Sequence, residues 1–146
     1  MKKFVYVISL LGLMLLLVAC NQPKNMLEGN TYSVTSHSPT IELSEYKEPP
    51  NSSVNFRFDT NKKMKVIYMG EEHDAEYNFD EDLLSLTVID KNDKEGKMLF
   101  KDVQQYEKNE DIVIAKLEES SVPSDHLAYH ALSGFSIGEM VLLYKK

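Results

Sequence analysis

Tryptophan is absent from this 146-residue chain. Cysteine occurs once, as Cys20, and arginine once, as Arg57. A lone cysteine has no partner for a disulfide within the chain, so a folded domain here must be held by packing. Six glycines are scattered singly, and a phosphate-cradling loop needs them clustered. Acidic residues outnumber basic ones, 23 to 16, for a formal charge of −7. Such a surface repels nucleic acid, so no nucleic-acid partner is expected. Long hydrophobic runs are also missing. The one uncharged apolar run, from Phe4 to Ala19, is shorter than the ~20 residues that span a bilayer.

What is present begins with that run. Lys2 and Lys3 precede it, and the small residue Ala19 ends it. A charged start, an apolar middle and a small residue before a cut describe an export signal over 1–19. Leu17-Val18-Ala19-Cys20 resembles the lipobox of bacterial lipoproteins, in which the cysteine thiol receives diacylglycerol before cleavage. The resemblance implies lipidation (palmitate-type acyl chains) at Cys20. It also implies membrane attachment through that lipid and a place on the extracytoplasmic face of the cell membrane. Two acyl chains on one residue anchor stably where a single chain is marginal. Loss of the two signal lysines leaves 14 basic against 23 acidic residues, a formal charge of −9 for the remainder. Residues 20–26, with Pro23, read as a short lipidated tether, and 27–146 as a single domain.

That domain reads as all-β. Val54 to Phe58, Met64 to Tyr68, Ala75 to Phe79 and Leu84 to Val88 alternate apolar and polar residues. A period of two places one set of side chains on a buried face. Pro49-Pro50-Asn51-Ser52, Asp59-Thr60-Asn61, Met69-Gly70-Glu71, Asp80-Glu81-Asp82 and Asp90 to Asp93 punctuate the series as turns. Further strands are expected at Asn30 to Val34, Ile41 to Tyr46, Met98 to Val103, Ile112 to Leu117 and Met140 to Tyr144. A short helix, capped by Ser124 after Pro123, is expected to run through Leu132. Connections this short exclude crossover helices, so the expected fold is an antiparallel up-and-down meander closed into a small barrel.

Leu27-Glu28-Gly29-Asn30-Thr31-Tyr32, at the opening of the first strand, resembles the first strand of the calycins. The strand order and the helix before the last strand are similar to that family. The whole resembles the small lipocalin-like lipoproteins of bacilli, the YxeF type. The resemblance implies a lipocalin-like barrel that holds a small lipophilic ligand.

The candidate ligand-binding residues are Phe56, Phe58, Tyr68, Tyr77 and Phe79, which alternation assigns to the inner face. They line a pocket if the barrel is hollow and fill a core if it is not, since an eight-stranded barrel is only just wide enough for either. The first case, which the calycin resemblance favours and which is the leading expectation, makes the protein a membrane-anchored lipocalin-like binder of a small lipophilic molecule at the cell envelope. The second makes it an envelope interaction module with a solid core. His126 and His130 stand four apart, but no third ligand is singled out, so neither metal nor cofactor is expected. Asp90 to Gly96 fails as a calcium loop because Lys94 puts a cation where an oxygen is needed. No nucleophile and base can be assembled by spacing, and the chain is not expected to be an enzyme.

Overall fold

The computed structural model describes residues 25–46 and 52–146; the signal 1–19, Cys20 and most of the tether lie outside the described residues. Eight antiparallel strands follow one another around a closed barrel: β1 (Thr31–Ser36), β2 (Val54–Phe58), β3 (Lys63–Tyr68), β4 (Glu71–Asp80), β5 (Leu83–Ile89), β6 (Glu95–Tyr106), β7 (Asn109–Ser121) and β8 (Met140–Lys145). β8 closes the barrel on β1, with Tyr32 opposite Lys145 and Ser36 opposite Val141. One short helix, α1 (Tyr129–Leu132), precedes β8. This is the up-and-down meander that the alternation and short connections imply, and it is consistent with a lipocalin-like barrel. Among the described residues no helix is long and apolar enough to cross a membrane.

Alternation sorts the side chains as expected. On β2, Val54, Phe56 and Phe58 are buried while Asn55 and Arg57 face outwards. On the outer face of β2–β4, Arg57 makes two hydrogen bonds to the Glu72 carboxylate, at 2.9 and 3.3 Å. Lys65 pairs with Asp74 and Lys63 with Glu76. Each of those lysines sits directly opposite its partner in the β3–β4 register, so the ladder marks the solvent side.

Tight hairpins set the register. Tyr68 faces Glu71 across a two-residue turn of Met69 and Gly70, both with positive φ (51° and 88°). Consecutive left-handed residues make the type I′ turn that matches strand twist. Glu71 and Glu72 therefore open β4 instead of lying in a turn.

Two expectations need correction. Residues 41–46 are not a strand. β1 is already paired on both sides, with β2 and β8, so the closed sheet leaves this segment no edge. It becomes a strap with a single 3-10 turn (Leu43–Glu45) laid over the outside of the barrel. There Leu43 and Tyr46 cover Ile112, Leu142 and Tyr144, an outer apolar cluster separate from the main core. Ser124 does not cap a helix either. Residues 123–128 form a run of tight turns, including His126 N–H to Pro123 O (2.9 Å), and α1 begins after Ala128 with no side-chain cap.

Both ends of the barrel are closed. At the near end, where the described chain begins, residues 25–30 fold across the opening and bury Leu27 completely. Gly29 N–H donates to Phe58 O (2.8 Å), and Phe58 N–H donates to Asn30 O (2.9 Å). At the far end, residues 122–139, hereafter the lid, cross from β7 to β8 and bury Ala128, Ala131 and Leu132.

Candidate functional site

Inward-facing side chains from all eight strands belong to one buried cluster. Towards the near end Phe58 packs edge-on against Tyr32, Phe56 and Tyr77, with ring centroids 5.9, 6.3 and 4.9 Å apart. A hollow large enough for a ligand leaves accessible surface on the side chains around it. Phe56, Phe58, Phe100, Met64, Leu84 and Leu86 have 1 % or less. Those rings and chains fill the barrel as a packed core.

The five ring residues named from the sequence are thus divided. Phe56, Phe58 and Tyr77 meet in the core, and Phe79 is half-buried against it near the near end. Tyr77 also belongs to the near-end closure: its hydroxyl donates to Asp59 O (3.3 Å) and accepts from Asn25 Nδ2 (3.4 Å). Burial raises its pKa, helped by the nearby Glu28 and Asp59 carboxylates. Tyr32 caps the same end by donating to Met26 O (2.9 Å). Burial pushes its hydroxyl up to about 12, against a smaller opposing effect of Asn30. Only Tyr68, at the far end of β3, reaches a solvent-facing cleft.

That cleft lies between the lid and the β1–β3 rim, with a volume of about 320 Å³. Val34, Val54 and Tyr68 line it from the strands and Ala131 and Phe135 from the lid. Ser36, Ser52 and His130 supply its polar surface. The Ser52 hydroxyl is already engaged, donating to Val34 O and accepting the Val54 amide (3.1 Å). A larger open depression of about 550 Å³ lies on the outer wall over β5–β7, beside Ile137. The mouth cleft is the better candidate because it lies at the end of the barrel, where Val34, Val54 and Tyr68 meet the lid.

No family model matches the chain, and no curated protein and no solved structure is found to match it. Its chemistry must therefore be read from its own residues.

The two histidines do not act together. His126 is 3 % exposed, and both ring nitrogens are engaged. Nδ1 accepts the Ala128 amide (3.0 Å), so Nε2 carries the proton and donates to Val88 O (3.2 Å). His130 is exposed and packs edge-on against Tyr129. No group of three metal-binding side chains occurs among the described residues.

One motif was passed over by the spacing argument. Gly134-Phe135-Ser136-Ile137-Gly138 matches the Gly-x-Ser-x-Gly pattern of hydrolase nucleophile turns. Its setting is wrong for that chemistry, because it leads from a helix into a strand instead of the reverse. Ser136 donates its amide to a Glu139 carboxylate oxygen (3.0 Å), and its Oγ has no partner among the described residues. Without a base to take its proton, the hydroxyl is not an activated nucleophile.

The Asp90 loop is held by its own side chain. Asp90 Oδ1 accepts the amides of Asn92 (2.7 Å) and Lys94 (3.1 Å), while the Lys94 amine pairs with Asp125.

Proposed function

We propose that this protein is a membrane-tethered interaction module of the cell envelope, a solid barrel that meets a protein or wall component through its far end. The observation that carries this reading is the filled interior closed at both ends, which leaves the outer surface as the place for recognition.

Two features support the choice of end. Among the described residues, six of the seven exposed large apolar side chains lie at or beside the far end: Ile41, Met69, Ile89, Leu127, Ile137 and Met140. Leu83 alone lies at the other. Met69 is 78 % exposed and in the left-handed conformation, next to Gly70. Asn-Gly suits such a turn better, and a strained, exposed apolar residue fits a binding role. The tether supplies the second feature. With lipid on Cys20, the chain to Asn25 reaches at most about 17 Å. The near end then lies beside the bilayer on its extracytoplasmic face, and the far end points away.

Binding of a small lipophilic ligand is the second reading. It is favoured by the mouth cleft, where Tyr68 and Phe135 present apolar surface to solvent.

Two experiments test the proposal. Cys20→Ala should release the protein from the membrane fraction; retention after a carbonate wash would contradict lipid anchoring. Met69→Ser, Leu127→Ser and Ile137→Ser combined should keep the melting temperature while reducing binding to isolated envelope fractions. Unchanged binding would remove the far-end assignment.

A further inference from the structure

We propose that the lid is held shut by a proton-sensitive latch at His126, so that acid frees the lid and uncovers the far end of the barrel core. This does not depend on the tether or on the partner.

The lid is fastened at both its ends: at its exit Gly138 N–H donates to Leu117 O (2.7 Å) and Leu117 N–H donates to Glu139 O (3.0 Å), and at its entry the contacts gather on one hairpin. Its first residue, Val122, rests on Gly96 at the start of β6, where a Cβ would come within 3.0 Å of the Val122 side chain. Gly96 sits opposite Val88 in the β5–β6 register. Lys94 of the same hairpin pairs with Asp125, and His126 bonds Val88 O. Three fastenings therefore gather on the β5–β6 hairpin. Across the barrel, towards β1–β3, the lid borders the open mouth cleft.

His126 is the fastening that a second ring proton would undo. Its Nδ1 accepts an amide, so a second ring proton would point at the Ala128 N–H. That hydrogen bond becomes a contact between two donors. Either the ring turns or the lid lifts, and the ring is buried with Ala128, Ala131 and Leu132 following it in the chain.

The charged ring has a destination. Asp90 is 8 % exposed, and its Oδ2 is buried without a partner among the described residues. Burial disfavours the Asp90 charge, but the amides of Lys94 and Asn92, with His126 and Lys94 nearby, more than offset this and lower its pKa. A buried carboxylate on the hairpin that holds the ring favours the charged imidazole over the neutral one. The charged or titratable groups around the ring are Asp90 and Lys94 from the hairpin and Asp125 from the lid. Lys94 and Asp125 neutralise one another. His130 is exposed and turned onto Tyr129, and Glu139 bonds Ser136 at the other end of the lid.

The test is amide exchange of the whole chain in non-ionic detergent at pH 7.5 and pH 5, corrected for the intrinsic pH dependence of exchange. Amides of 122–139 should lose about tenfold protection at the lower pH, the worth of one hydrogen bond, while the strands hold theirs. His126→Asn, which keeps an acceptor near the Nδ1 position, should give a lid indifferent to pH. Asp90→Asn should move the opening to lower pH. Equal corrected protection of the lid at both pH values, or the same acid loosening in His126→Asn, would overturn the proposal. Should His126→Asn not fold, the ring nitrogens of the unaltered protein can be followed by NMR. The Nε2–H form should prevail at pH 7.5, and ring titration should coincide with lid opening. A ring that titrates while the lid stays shut would equally refute the latch.

Discussion

The two ends of the barrel are closed by different means. The near end is stopped by six residues immediately before β1, a local plug. Leu27 fills it, and the hydroxyls of Tyr32 and Tyr77 are satisfied by neighbouring carbonyl oxygens. The far end is covered by an 18-residue crossing from β7 to β8, fastened at the β5–β6 hairpin and at Leu117 of β7 and bordered by a cleft towards β1–β3. A short plug bonded to the strand ends is part of the global fold. A long lid held at its two ends, with a cleft along one side, is a unit that can open by itself.

This difference predicts unequal responses to equal truncations. Leu27 and Leu132 are both fully buried. Leu27→Ala should lower global stability by about 2–5 kcal/mol, read by urea denaturation. Leu132→Ala should cost less globally and speed amide exchange in 122–139 while the strands stay protected. Equal losses with no local effect would show that lid and barrel open together.

The next effect appears at alkaline pH. Tyr32 is buried in the near-end closure, and Tyr144 lies under the strap; burial pushes both hydroxyls up to about 12. The folded protein keeps these protons after the unfolded chain has lost them near pH 10. Their contribution is therefore complete below about pH 10 and lost as pH rises towards 12. Denaturation midpoints measured at pH 9 and 11.5 should show the fall, and Tyr32→Phe and Tyr144→Phe should each reduce it. The two should differ at neutral pH. Tyr32→Phe removes a hydrogen bond worth about 0.5–1.5 kcal/mol. Tyr144 has a buried hydroxyl without a partner among the described residues, so its loss should cost nothing.

Much of the barrel was legible because its strands have one wet face. Val54 to Phe58 alternates cleanly, and β2 occupies those residues. The strap at 41–46 was misread because Ile41 and Leu43 alternate too. What excludes it from the sheet is the pairing of β1 with β8, a contact between residues more than a hundred positions apart. The run of four buried residues, Val141 to Tyr144, carried the clue, being apolar on both faces where a strap must lie. The candidate rings were correctly turned inwards, but periodicity cannot distinguish a lining from a filling. The latch was hidden for a similar reason. His126 and His130 look equivalent in a helical reading, and only the tight turns before α1 send one ring in and leave the other out.

The smallest effect sharpens the comparison at the far end. Met69→Asn relieves a left-handed backbone and should raise stability by up to about 1 kcal/mol. If Met69 is kept for recognition, the same change should weaken envelope binding; a gain in both would leave the residue without a role there.

The filled interior is tested most directly by titrating the protein, in a detergent-free soluble form, with a panel of fatty acids and lysophospholipids. Tyrosine emission serves as the signal, since no tryptophan masks it. A solid barrel predicts no saturable quenching and an unchanged melting temperature across the panel. Saturable one-to-one binding that raises the melting temperature, and that survives Tyr68→Ala at the mouth cleft, would place a ligand within the barrel and contradict the packed core.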